Sequence, residues 1–184
     1  MESPDQNSYD IIIIGGALYG SSIAWFLSND PCFSGKILVI EKDPSYDFSS
    51  TARTNSCIRQ QFSQEINIEI SQFGAHYIKN FKSFMNESSE IPNLNIDTFG
   101  YMYLAKTEKF AEILKTNQKI QQLANSKTRF MTALEIKSEY PFYNIDDIIG
   151  GNHNLVDEGY FDGNTIFNWW KKYAKKNGAK YIKN

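Results

Sequence analysis

Residues Tyr9–Glu41 read YDIIIIGGALYGSSIAWFLSNDPCFSGKILVIE, and this stretch decides the fold. Tyr9 to Ile14 carries four consecutive isoleucines and is closed by Gly15-Gly16. A short β-branched run ended by glycine predicts a buried parallel strand. Ala17 to Ser28 predicts a helix with Ile23, Ala24 and Leu27 on one side, stopped by Asn29-Asp30-Pro31. Lys36 to Glu41 (KILVIE) predicts a second buried strand, so the whole forms a β–α–β unit. The turn between strand and helix, Gly15-Gly16-Ala17-Leu18-Tyr19-Gly20, has the spacing of a dinucleotide-binding turn. Its first glycine makes the tight bend, a small middle residue lets the backbone approach a pyrophosphate, and the last glycine lets helix and strand pack closely. Gly15 and Gly20 fill the outer roles, and Ala17 brings a methyl group to the middle one. The helix N-terminus offers free N–H groups and a partial positive charge to the phosphates. Glu41 lies 21 residues after Gly20, at the strand end where a carboxylate accepts hydrogen bonds from ribose hydroxyls.

The chain beyond Glu41 bears on which dinucleotide is meant. A nicotinamide domain continues through one crossover helix to its third strand within roughly 30 residues. Here a Ser/Thr/Asp-rich loop spans Asp43 to Asn55, and a long helix is predicted from about Gln64 to Asn86. Its apolar positions are Ile66, Ile70, Phe73, Tyr77, Phe81 and Phe84. Phe99 to Ala105 predicts a strand, and Glu108–Ala124 and Thr132–Glu139 predict helices. The first of these has Phe110, Ile113, Leu114, Ile120 and Leu123 as its apolar set. Shorter strands follow at Ile148–Leu155 and Gly159–Phe161, then a helix at Asn164–Lys176 with Asp162 at or near its N-cap. The next buried parallel strand begins only at Ala179. This long excursion favours a flavin nucleotide, as does Ala24, which suits the tight helix packing of FAD domains.

A second signal is SSTARTNSCIRQQF, Ser49 to Phe62, which holds Arg53 and Arg59, two of only three arginines in the chain. Its hydroxyls and amides suit a phosphate and a flavin edge. Guanidinium groups suit a phosphate, a carboxylate or an anionic reduced flavin. The same residues also suit a polar loop capping the helix that follows. Cys57 reads as a small buried filler. Tyr101 to Leu104 (YMYL) offers either a tyrosine for a substrate pocket or ordinary packing. Glu158 to Asp162 reads as a structural crossing back into the nucleotide-binding part.

Composition excludes several classes. With 184 residues and 41% hydrophobic content, the chain has enough apolar surface for a core of about one domain. A net charge of −2 leaves no global basic field for nucleic acid. Lys171, Lys172, Lys175 and Lys176 sit at helical spacing as one solvated face. Two cysteines and two histidines give neither a disulfide framework nor a metal site. The apolar run Ile11–Leu27 is interrupted by Gly15, Gly16, Gly20, Ser21 and Ser22, which argues against a membrane span. The acidic start lacks a signal-peptide pattern, so a cytoplasmic location is expected.

The runs YDIIIIGGALYGSSIAWFLS, ILVIEKD, SSTARTNSCIRQQFS and EGYFDGNTIFNWWKKYAKKNGAKY, in this order, resemble the N-terminal half of an FAD-dependent oxidoreductase. The family is that of D-amino-acid oxidase, sarcosine oxidase and glycine oxidase, and the chain is most similar to its branch of FAD-dependent oxidoreductase domain-containing proteins. The resemblance implies an α/β fold: a Rossmann-like FAD-binding domain at 9–90 and 159–184, incomplete, with an inserted partial α+β substrate domain at 91–158. It implies that Gly15, Gly16 and Gly20 line the FAD pyrophosphate, with Ala17 in place of the usual middle glycine. Glu41 would hold the adenosine ribose, Lys42 would lie near the adenine, and Ser50 and Thr51 would touch the pyrophosphate or ribityl chain. Asn55, Ser56, Cys57 and Ile58 would pass the isoalloxazine, with Ser56-Cys57 where many members have Gly-Gly. Arg59 and Gln60 would approach the catalytic face. The implied reaction is oxidation of the C–N bond of a small amine or amino acid, with oxygen or another acceptor taking the electrons. The implied alternative is a non-catalytic FAD-binding assembly or interaction factor. The missing C-terminal half of the family makes the chain look like a fragment of a longer protein.

Overall fold

In a computed structural model the described residues are 3–86 and 89–183. In chain order they form β1 (Ile11–Ile14), α1 (Leu18–Asn29), β2 (Ile37–Glu41), β3 (Cys57–Ile58), α2 (Glu65–Lys79), α3 (Phe81–Phe84), β4 (Ile96–Asp97) and β5 (Tyr101–Ala105). There follow α4 (Glu108–Leu123), β6 (Arg129–Thr132), α5 (Ala133–Glu139), β7 (Gly150–Asn154), β8 (Gly159–Phe161), α6 (Gly163–Lys176) and β9 (Lys180–Lys183). The chain divides into two compact units, 1–55 with 162–184 and 56–161. Residues 56–86 and 159–161 therefore group with the second unit, whereas the sequence placed them in the nucleotide-binding domain.

In the first unit the strands run in the order β1-β2-β9, all parallel. Ile14 pairs with Ile40, and Glu41 pairs with Lys183. The strand expected at Ala179 thus lies beside β2, where the third strand of a dinucleotide-binding sheet belongs. Ile37, Leu38 and Val39 of the central strand are buried, and each such side chain contributes at most about 1.5–3 kcal/mol. Helices α1 and α6 pack together through Trp25 and Trp170, whose rings stack at 6.5 Å. Ala24 and Ala174 are fully buried, and their small side chains permit the close approach. The Asp162 side chain caps α6 by accepting from the Thr165 N–H. The expectation of a strand buried on both faces fails at β1. It is an edge strand, and Ile12 and Ile14 are 57% and 79% exposed because no described element covers that face.

The second unit holds two antiparallel three-stranded sheets, β3-β8-β4 and β5-β7-β6. Every residue of β7 (GGNHN) is buried, and Asn152 is held by donating to the Leu114 carbonyl of α4. α5 starts at a capping box in which Thr132 and Glu135 satisfy each other's backbone N–H groups. The single long helix expected at 64–86 is broken at Asn80 into α2 and α3. Its buried stripe runs through Ile68, Ala75, Tyr77, Ile78, Phe81 and Met85, so that Tyr77 and Phe81 of the expected set are buried while Ile66, Ile70 and Phe73 are exposed. α4 is rotated likewise: Ala111, Leu114 and Gln121 face inward, whereas Phe110, Ile113 and Leu123 do not. In both helices part of the expected face is buried, Tyr77 and Phe81 on one and Leu114 on the other, and the rest of the contacting face is made by residues the apolar pattern left out. Phe99 lies outside its expected strand, and the short strands β3, β4 and β6 were not foreseen.

Candidate functional site

The glycine-rich turn of the first unit is built as its sequence requires. Gly15 has φ +92°, a conformation open to glycine but strained for other residues, and the space where its side chain would lie is empty. Gly20 sits in the first turn of α1, where a Cβ would lie 1.8 Å from the Gly15 carbonyl oxygen. Only glycine lets helix and turn meet this closely. Ala17 is the N-cap of α1 and provides no side-chain cap, so the helix opens on backbone N–H groups. One of these, the Leu18 N–H, donates to Thr51 Oγ1 at 3.1 Å. Thr51 therefore stands at the helix N-terminus, the place for a pyrophosphate. The Ser21 hydroxyl donates to the Gly16 carbonyl at 2.6 Å and accepts from the Tyr181 hydroxyl of β9 at 3.3 Å, bracing the turn from behind.

Glu41, at the end of β2, accepts from the Gly16 N–H at 2.7 Å and from the Asp43 N–H at 2.8 Å. An ionised carboxylate has about four lone-pair sites, so acceptor capacity remains for ribose hydroxyls. Tyr46 is buried against this corner, and burial together with the Glu41 charge raises its hydroxyl to about 12. Lys171 lies 4.5 Å over the Tyr46 ring, and burial lowers its pKa. Lys42 and Ser50 are exposed on the same unit, as is Asn55. The glycine cradle, open helix end and strand-end acid fit a dinucleotide.

The second unit carries the rest of the expected segment. Ser56 has φ +49°, in the region that favours glycine, and its carbonyl accepts from the Phe161 N–H. Cys57 and Ile58 form β3 and pair with Tyr160 and Gly159 of β8. Arg59 follows, its guanidinium 5.2 Å from the Phe62 ring centre and 5.9 Å from that of Tyr101. Its Nε is buried without a partner. Tyr101 is raised to about 12, first by burial and then by its hydrogen bond with Cys57, with the Arg59 charge opposing. Arg59, Tyr101 and Cys57 therefore converge on one cluster.

Gln60 departs from expectation. It is 4% exposed, and its side chain donates to the Val156 carbonyl and accepts from Gln72. With both amide ends engaged inside the unit, it braces the segment and presents no free group to a substrate. The residue that sequence reasoning undervalued is Glu158. Read there as part of a crossing, it is fully buried and accepts from the Gln60 N–H, Gln61 Nε2 and Asn154 Nδ2. An acid beside a glycine at a chain crossing was the only signal available, and nothing in it distinguished a buried carboxylate from a surface one.

The first unit thus has the form of a dinucleotide-binding protein of the parallel α/β class. The chain belongs to the FAD dependent oxidoreductase family, whose sequence pattern matches residues 10–184, and its cofactor is FAD. FAD-dependent oxidoreductase domain-containing protein 1 of Xenopus laevis is 31% identical over 173 residues, covering 92% of this chain and 34% of that protein. The chain thus spans about a third of the length of that curated relative. L-proline dehydrogenase from P. horikoshii superposes with a TM-score of 0.73 and 26% identity, over 94% of this chain and 43% of that one. Glycine oxidase from Bacillus cereus ATCC 14579, at 18% identity and a TM-score of 0.68, covers 96% of this chain and 46% of its own and shares the fold. Among the described residues no helix is long and apolar enough to cross a membrane, and no cluster of side chains could hold a metal ion.

Proposed function

We propose that the chain forms the nucleotide-binding part and one wall of the substrate site of an oxidoreductase acting on the C–N bond of a small amino acid. The observation that carries this reading is Arg59, a half-buried guanidinium beside the rings of Phe62 and Tyr101 whose Nε lacks a partner. The part of the guanidinium left exposed suits a substrate carboxylate, and two aromatic rings suit an aliphatic amino-acid side chain. The names of the L-proline dehydrogenase and glycine oxidase neighbours support the substrate class.

Each residue has a part in this scheme. Gly15, Gly20 and the α1 N-terminus hold the FAD pyrophosphate, Thr51 stands beside it, and Glu41 holds the ribose. In the second unit, Arg59 orients the substrate through its carboxylate. Tyr101 presents a neutral hydroxyl beside Arg59, and burial moves its pKa further above the physiological range. The chemistry that bound FAD supplies is acceptance of a hydride from the carbon next to the amine nitrogen, with later passage of both electrons to oxygen or another acceptor. No side chain of the cluster is assigned as a general base.

The test uses the whole polypeptide that carries this chain, loaded with FAD and mixed anaerobically with amino acids and with the matching amines that lack the carboxylate. Bleaching of the oxidised flavin by the amino acid, and slower bleaching by the decarboxylated amine, is the expected result. Arg59→Lys keeps the charge but loses the planar fork, and weakens the amino acid's advantage by about 1.5–3 kcal/mol. A protein that binds FAD but is reduced by none of these compounds overturns the reading in favour of a non-catalytic FAD-binding factor.

A further inference from the structure

We propose that Glu158 is the positioning residue of the substrate wall, the buried anion that holds the Arg59–Gln61 segment in the conformation that binds a carboxylate. The proposal rests on the substrate reading above for what Arg59 binds, and on the structure for how Arg59 is held. Glu158 is 0% exposed, yet three donors converge on its carboxylate: the Gln60 backbone N–H at 2.7 Å, Gln61 Nε2 at 2.8 Å and Asn154 Nδ2 at 3.0 Å. Two of these belong to the residues directly after Arg59. Gln61 Nε2 also donates to the Tyr101 carbonyl at 2.9 Å, so the same anion ties the arginine segment to the strand carrying the aromatic ring beside it.

The surroundings make this a built arrangement. Gln60 is locked from its other side, to Val156 and to Gln72, and Gln72 in turn donates to the Ala124 carbonyl at the end of α4. Asn154 also donates to the Val156 carbonyl and Ser126 Oγ. The carboxylate is thus the acceptor on which β7, the arginine segment and the loop before β8 meet. Backbone geometry supports the same loop: Asp157 has φ +55°, and Gly159, with φ +151°, places its Cα where a Cβ would lie 1.9 Å from the Asp97 carbonyl oxygen. Burial raises the pKa of Glu158, while its three donors and the positive charge of Arg59 oppose that shift.

No neutral side chain of this length reproduces the arrangement. Glutamine has one acceptor oxygen in place of two, and its NH₂ group would face donors. A buried donor left without an acceptor withdraws from its position, and the arginine segment moves with it.

The experiment measures two affinities in the FAD-loaded whole polypeptide, with acetate as the carboxylate probe read by its perturbation of the flavin spectrum. Glu158→Gln is expected to weaken acetate binding roughly tenfold, within the range for residues sharing one hydrogen-bonded network, while FAD affinity stays near wild type. Glu158→Asp, which keeps the charge, recovers part of the loss. Without FAD, the Gln60 amide hydrogen exchanges faster in the glutamine variant, whereas amides of β1 and β2 do not. Acetate affinity unchanged in the folded variants, or in the aspartate variant alone should the glutamine variant fail to fold, overturns the proposal. So does a parallel fall in acetate affinity, FAD affinity and melting midpoint, which would mark a general loss of structure. Arg59→Lys separates the two ideas. If it leaves acetate binding intact, the substrate reading fails; if it abolishes binding while Glu158→Gln does not, only the positioning role fails.

Discussion

Replacing Gly20 by alanine tests the contact on which the nucleotide-binding turn depends. The new Cβ would lie 1.8 Å from the Gly15 carbonyl oxygen and 3.2 Å from Ile13 Cγ2, where real Cβ contacts essentially never fall below 3.0 Å. The first obstacle is backbone, so no rotamer change relieves it. Helix α1 must separate from the turn by about the shortfall, more than 1 Å. Overpacking of this kind costs typically about 1–3 kcal/mol, and a backbone obstacle belongs at the upper end. Alanine returns about 1 kcal/mol through its better helix propensity. The net loss expected is therefore about 2 kcal/mol, or roughly 4–8 °C in melting midpoint for a chain of this size. The same displacement moves the α1 N-terminus away from a bound pyrophosphate, so FAD affinity falls as well. Gly16→Ala is the internal comparison: its Cβ meets the Val39 and Tyr46 side chains at 3.1 and 3.2 Å, and side chains give way more easily than backbone. Thermal melts by circular dichroism and FAD titration measure both effects. A Gly20→Ala protein that melts with the wild type and binds FAD equally well would refute the close-packing argument.

Glu41→Ala leaves the Gly16 and Asp43 N–H groups without their acceptor, and is expected to weaken FAD binding by about 1.5–3 kcal/mol; unchanged affinity in a titration removes Glu41 from the site. Ser56→Gly places a permissive residue at φ +49°. Relief of about 1–2 kcal/mol of backbone strain, set against about 0.5–1 kcal/mol of added chain entropy in the unfolded state, predicts a urea midpoint equal to or above wild type, and a clear fall would contradict it. Glu158 has its pKa raised by burial, so the folded state holds its proton to higher pH than the unfolded state does. Its charging costs stability as pH rises above about 4.3, the ordinary glutamate value, through the folded pKa. Wild type should therefore lose stability relative to Glu158→Gln across that window in paired urea titrations, and an opposite slope would show that hydrogen bonding outweighs burial.

The β–α–β unit was legible because its signals are local. A β-branched run, glycines spaced for one turn and an acid at a strand end specify backbone geometry within a few tens of residues, and Gly15, Gly20 and Glu41 occupy the positions their chemistry requires. The Asp162 cap and the parallel strand after Gly178 were legible for the same reason. Which faces are buried was not. On α2 and α4 the expected stripes included Phe73 and Phe110, which are exposed, beside Tyr77 and Leu114, which are buried, and the buried faces add Ala75 and Ala111, since a neighbouring element selects the face that lets it approach. Nor could the sequence show that Gln60 turns inward while Arg59 keeps an unpartnered nitrogen, or that Glu158, 98 residues from Gln60, reaches its backbone N–H. A buried carboxylate is tolerated only where distant segments converge to supply donors. That convergence comes from pairing β3 with β8 and β5 with β7, and sheet register over such separations is decided by tertiary packing rather than by any local pattern.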